Sequence, residues 1–139
     1  MTASVLPTVA FGPTDLRVTP LCVGCAPLGD MPETFAYSVS EASALATLRA
    51  AFGGPINFID TAAAYGDGES ERRIGLALSE LGGLPAGYVL ASKADRNLQT
   101  GDFSGEQIKR SVEGSLRRLG LDSFRLCIFT TLNTPPSRM

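Results

Sequence analysis

The sequence predicts an α/β protein of the (β/α)8 TIM-barrel type with only the first half present, an amino-terminal hairpin followed by about four βα units. Three observations carry this reading. Short runs that are apolar on both faces alternate with amphipathic stretches of helical period, the pattern of a parallel sheet buried by helices. Two of the runs end abruptly in chemistry-bearing residues, Asp60 and Lys93, and polar groups at the carboxyl ends of successive strands suit a barrel. A doubly wound nucleotide-binding sheet would show a glycine-rich phosphate turn after its first strand, whereas Gly24 to Gly29 lacks the G-x-G-x-x-G spacing.

The elements follow in order. After a flexible stretch (1–8), Val9 to Phe11 and Leu16 to Val18 flank Gly12, Pro13, Thr14 and Asp15, turn chemistry that predicts a hairpin. Leu21 to Ala26 is a first buried strand, and Pro27 to Val39 a long loop rich in Pro, Gly and polar residues. Ser40 is an N-cap for a helix with Leu45, Leu48 and Phe52 on one face, stopped by Gly53 and Gly54. The unit then repeats. Strand Ile56 to Asp60 leads through a loop to Glu69 and a helix striped by Ile74, Leu78 and Leu81, ending at Gly82 and Gly83. Strand Val89 to Lys93 follows. A third helix opens at Ser104 with a capping box to Gln107, carries Ile108, Val112, Leu116 and Leu119, and stops at Gly120. Phe124 to Phe129 is the fourth barrel strand, so the domain occupies 9–129 and leaves an irregular tail (130–139) containing Pro135 and Pro136. A closed barrel needs roughly 250 residues and the chain has 139, so we expect a truncated half-barrel.

Composition narrows the function. The chain is 44% hydrophobic, enough for one domain with a core, and its net charge of −2 comes with scattered Lys and Arg, which argues against a nucleic-acid partner or an anionic membrane surface. No apolar stretch reaches the roughly 20 residues that span a bilayer, and the amino terminus lacks a signal pattern, so a cytoplasmic protein is expected. Cys22, Cys25 and Cys127 sit in apolar surroundings and are expected to be reduced core thiols. Cys22 and Cys25 form a C-x-x-C on a strand, where residues three apart point to opposite faces, unlike a redox pair at a helix terminus. With no histidine in the chain, a zinc site is not expected, and Ser/His or Cys/His nucleophilic machinery is excluded unless another chain supplies the base.

The candidate site is Asp60, Tyr65 and Lys93. Ile56, Phe58 and Asp60 share a strand face, as do Val89, Ala91 and Lys93, so a carboxylate and an ammonium can meet at one rim. Tyr65 follows in the loop. A phenol titrates near pH 10, and a cation about 4 Å away at an effective dielectric near 20 is worth roughly 4 kcal/mol, enough to bring such a group into working range. The same spacing also suits a buried Asp60–Lys93 ion pair with Tyr65 merely packed in its loop, and spacing alone leaves both open.

The order of motifs adds a resemblance. The hairpin, the strand from Leu21 to Gly29, F-I-D-T-A-A-A-Y-G, G-E-S-E-R-R-I-G, V-L-A-S-K and a helix ending S-L-R-R-L-G-L-D together resemble the amino-terminal half of the aldo-keto reductase family from about residue 9 to residue 129. The segment G-D-G-E-S-E-R-R-I-G is most similar to a branch oxidising sugars, such as fucose or threo-aldoses, or pyridoxal. The resemblance implies a (β/α)8 barrel that uses NADP(H) or NAD(H) to move a hydride to or from a small carbonyl or sugar substrate. It implies Tyr65 as general acid/base, Lys93 as its charge partner, Asp60 as the carboxylate orienting Lys93, and the backbone of Gly24, Cys25 and Ala26 along the nicotinamide end, with Asp60 and Tyr65 also facing the cofactor. Glu69 to Arg73 opens a helix and reads as structural. The family's catalytic histidine after the fourth strand is replaced here by Phe129, Thr130 and Thr131, where Thr130 could donate a hydrogen bond. With little activity expected of the isolated half, the alternative is a noncatalytic half-barrel that self-associates through open sheet edges or serves as a cofactor-sensing or interaction subunit.

Overall fold

The computed structural model describes residues 6–130. The expected flexible terminus and irregular tail therefore lie, apart from residues 6–8 and 130, outside the described residues. Strands β1 (Val9–Ala10) and β2 (Arg17–Val18) form the hairpin, with Val9 opposite Val18. Its turn is closed by Phe11 N–H donating to Leu16 O at 3.0 Å and by the Thr14 hydroxyl donating to Phe11 O at 2.6 Å.

The main sheet contains β3 (Val23–Gly24), β4 (Phe58–Asp60), β5 (Val89–Ala94) and β6 (Leu126–Phe129), all parallel and in sequence order. This order is a barrel wall. A doubly wound sheet would reverse direction at a switch point. Among the described residues no helix is long and apolar enough to cross a membrane.

Three long helices, α2 (Glu41–Phe52), α3 (Glu69–Leu81) and α4 (Gly105–Leu119), follow a short α1 (Pro32–Phe35). The Ser40 and Ser104 side chains accept from the N–H groups of Ser43 and Gln107, and Gly82 and Gly120 take left-handed conformations as stops. One face of the sheet packs Ile59 and Leu90 against Leu48, Phe52, Ile74 and Leu119 of the helices. Leu48, Ile59 and Ile74 are wholly excluded from water, each side chain contributing about 1.5–3 kcal/mol of transfer free energy. On the opposite face Phe58 and Val89 are covered by Leu16 and Val18 of the hairpin, and Phe11 meets Phe58 edge to face at 5.9 Å. The hairpin thus plugs the amino end of the wall's inner face and leaves the carboxyl end, with Asp60 and Lys93, open to chemistry.

The structure departs from the sequence expectation in several places. The first strand spans two residues rather than Leu21 to Ala26, because the chain turns into a 3-10 segment, Ala26–Gly29, in which Leu28 N–H donates to Cys25 O. That segment and α1 occupy the stretch expected to be loop. Leu81 is 49% exposed, and Ala77 takes its place in the core beside Ile74 and Leu78. In α4 the buried face is Gly114, Ser115 and Leu119 while Ile108, Val112 and Leu116 are half-buried. Helices α3 and α4 come so close that a Cβ on Gly75 would lie 2.1 Å from Arg118 O, which favours small residues there. The capping box is half made: Gln107 Nε2 reaches Asp95 O at 3.4 Å, and Ser104 N–H donates to Asp102 instead. All three cysteines are free, but Cys22 is exposed and Cys127 only half-buried, so Cys25 alone is a core thiol.

Candidate active site

Asp60 ends β4 and pairs in register with Ala91 of β5, so Lys93 stands two residues further along the neighbouring strand on the same face. The Lys93 ammonium donates to both carboxylate oxygens of Asp60, at 3.0 and 2.9 Å, and to Thr61 O at 2.9 Å. The two side chains are 17% and 25% exposed. Partial burial disfavours the charged lysine, yet the hydrogen bonds and attraction from Asp60, joined by Tyr65, outweigh it, and the ammonium is held above the usual lysine range. Nζ lies 4.9 Å from the centre of the Tyr65 ring.

Tyr65 is half-buried in the loop between β4 and α3. Its N–H donates to Ala62 O at 3.2 Å, and its carbonyl accepts from Ser70 N–H at 3.2 Å. The next residue, Gly66, has φ +63, and a Cβ there would lie 1.9 Å from Gly29 O. No side chain fits between these backbones, so the Tyr65 loop is pressed directly on the 3-10 turn after β3. Ser70 completes the clamp. Its hydroxyl donates to Cys25 O at 2.8 Å and lies 2.9 Å from the Thr61 hydroxyl, in a fully buried knot joining the ends of β3 and β4 to the first turn of α3. From the same turn Arg73, 6% exposed, donates to Glu69 and to Leu28 O and Val39 O at 2.9 and 2.8 Å. The Glu69 carboxyl is lowered to about 2, chiefly by hydrogen bonding from Arg72 and also from Arg73. These contacts make Glu69 to Arg73 a structural brace.

One buried acid lies behind this brace. Glu71 is fully buried, accepts from the Ser92 hydroxyl at 2.5 Å and from Arg118 Nε at 2.7 Å, and so joins α3 to β5 and α4. Asp95, 8% exposed, accepts from Ala64 N–H at 3.2 Å. Sequence reasoning singled out neither role. Glycine directly after Tyr65 was a readable hint of close approach, whereas nothing local marks Glu71, whose partners are remote in sequence.

Gly24 pairs with Asp60 in register, is exposed, and has no atom within 4 Å of a Cβ position. Ala26 is half-buried. Cys25 has its N–H bonded to Asp60 O and its carbonyl to Ser70 and Leu28, so its polar backbone is already used. Burial pushes the Cys25 thiol up to about 12 and Cys22 up to about 11, Asp60 adding to both, which leaves neither a ready thiolate. At the end of β6, Thr130 N–H donates to Ala94 O at 3.4 Å, and among the described residues its buried hydroxyl has no partner. The carboxylate, ammonium and phenol converge at one rim, an arrangement able to hold and pass a proton.

Comparison with known proteins agrees with this architecture. The model of the Aldo/keto reductase family matches residues 20–130. The chain is 40% identical over 113 residues to L-galactose dehydrogenase of Arabidopsis thaliana, covering 81% of this chain and 34% of that protein. Among solved structures, the holo form of an aldo-keto reductase from Bacillus halodurans superposes with a TM-score of 0.74 at 30% identity, over 94% of this chain and 42% of that one. An aldo-keto reductase from Klebsiella pneumoniae in complex with NADPH gives 0.60 at 27% identity, over 80% and 34%. The chain therefore spans less than half the length of each.

Proposed function

The chain belongs to the aldo/keto reductase family, and on that premise we propose that its strand ends form the acid–base part of an NAD(P)(H)-dependent oxidoreductase site for aldehydes or aldoses. The observation that carries the reading is the Lys93 ammonium, bound by Asp60 and held 4.9 Å from the centre of the Tyr65 ring. As a carbonyl oxygen gains negative charge, the Tyr65 hydroxyl gives it a proton. Lys93, its charge fixed by Asp60, stabilises the oxygen left on the tyrosine. In the oxidative direction the same proton returns to Tyr65. The cofactor would supply or accept the hydride. The residues present fit it: exposed Gly24, with open space beside it, leaves room for a flat ring next to Asp60. The likeness to L-galactose dehydrogenase supports a sugar substrate, and the free cysteines suit a reducing compartment such as the cytoplasm.

In this reading residues 9–129 are the amino-terminal half of a barrel whose remaining strands complete the cofactor site, so turnover by this chain alone is low. The test mixes the chain with NADPH or NAD and a panel of aldehydes and aldoses. Tyr65→Phe should reduce whatever turnover is found about 10²–10⁴-fold without changing the melt. Equal turnover by the variant ends the proposal.

A second reading is a noncatalytic half-barrel that pairs through its open edge or senses cofactor. It is favoured by Ile128 and Phe129, 38% and 63% exposed on the outer strand β6. Sedimentation decides it: a monomer at all concentrations, with no dinucleotide binding, removes this alternative.

A further inference from the structure

We propose that Asp95 is a positioning residue that sets the separation of Tyr65 and Lys93, an inference that rests on the reading of Tyr65 as acid/base. Asp95 lies two residues beyond Lys93, just after the end of β5, and its carboxylate accepts from the N–H of Ala64, the residue immediately before Tyr65, at 3.2 Å. Among the described residues this is the one hydrogen bond from the backbone of loop positions 62–68 to β5 or the segment after it. Asp95 is itself fixed from α4. Its N–H donates to the Ser111 hydroxyl at 3.0 Å and its carbonyl accepts from Gln107 at 3.4 Å.

Ion pairing does not account for the burial of Asp95. It is 8% exposed, and among the described residues no lysine or arginine forms an ion pair with it. A buried carboxyl group is costly unless its oxygens are hydrogen-bonded, and the contact from Ala64 N–H supplies such a bond. On the far side the Tyr65 loop is clamped to the 3-10 turn after β3 by Gly29, Gly66 and Ser70. Asp95 supplies the opposing hold. Together they hold the backbone at Tyr65 from both sides, and from it the ring reaches to 4.9 Å from the ammonium.

Nuclear magnetic resonance of the chain reads this directly, because an ammonium stem over an aromatic ring has its ε-methylene protons shifted upfield by the ring current. Tyr65→Leu defines the unshifted value. Asp95→Asn, whose amide oxygen can still accept from Ala64, should keep the upfield shift, whereas Asp95→Ala should lose it. Retention in the alanine variant overturns the proposal. Should that variant not fold, amide exchange of the unmodified chain decides instead: Ala64 N–H must be protected, and exchange at the rate of an exposed turn overturns the assignment.

In preparations that turn over, Asp95→Ala should lower kcat about 10²-fold with KM unchanged, and Asp95→Asn should restore it. Unchanged kcat once the ring-current shift is gone refutes the positioning role. The two readings fail separately, since equal turnover by Tyr65→Phe removes Tyr65 as acid/base while the ring-current result for Asp95 still stands.

Discussion

Lys93 divides its ammonium between both carboxylate oxygens of Asp60, at 3.0 and 2.9 Å, across adjacent parallel strands. The pair is partly screened from water, so removing one partner costs more than at a surface ion pair and less than at a fully buried one. Its third donor contact, to Thr61 O, fixes the start of the loop that carries Tyr65. Structure and site electrostatics are therefore coupled at one atom.

This coupling predicts a pH dependence. The folded-state ionisation of Lys93 is raised above its ordinary 10.5, burial pulling it down but Asp60 and Tyr65 pushing it further up. Folding therefore stabilises the protonated form, and the stabilisation is fully present below the unfolded value and lost as pH climbs through the folded one. Urea melts from neutral pH to about pH 12 should show the loss at the alkaline end. Lys93→Met should remove that component and, by leaving Asp60 without its cation, lower stability at neutral pH by about 1–3 kcal/mol. A melt for Lys93→Met as stable as the parent at neutral pH contradicts the pair.

Glu71 offers a second test. Truncation to alanine leaves the buried Ser92 hydroxyl and the Arg118 guanidinium without their acceptor, at a cost of about 3 kcal/mol. Glu71→Gln keeps the shape and one oxygen acceptor and should cost less. Denaturant midpoints for the two variants check the order, and equal midpoints contradict the three-element tie.

The glycine contact gives a third. Gly66→Ala must push apart two backbones that leave a Cβ 1.9 Å from Gly29 O, whereas Gly82→Ala, at φ +77, meets open space. The first should destabilise by about 3 kcal/mol or more, as an overpacked and strained site, and the second by about 1 kcal/mol, the left-handed penalty alone. Thermal melts read both. Gly66→Ala should also displace Tyr65 and, under the proposed function, reduce any dinucleotide-dependent turnover.

Much of this was legible because it is local. Ser40 and Ser104 cap their helices, Gly82 and Gly120 end theirs, and the runs at Phe58–Asp60 and Val89–Ala94 are strands ending at the expected rim. The 3-10 turn at Ala26–Gly29 was not legible, since its shape answers to Gly66 across the molecule. Leu81 fits a stripe by period yet is exposed, because the contact with α4 is centred on Gly75, where the helices nearly touch. Gln107 looked like the far half of a capping box, but the nearby carbonyl of Asp95 competes for its amide. Glu71 and Asp95 place carboxyl groups in the interior against partners more than twenty residues away, which no local pattern records.

The sheet order β3-β4-β5-β6 bears on how the chain acquires this shape. Each strand meets the one before it and waits for nothing further downstream, so native pairing can begin on a nascent polypeptide emerging from the ribosome and advance one unit at a time. A wall assembled in that fashion brings the lysine to its carboxylate once the third parallel strand is free to pair, without waiting for the fourth.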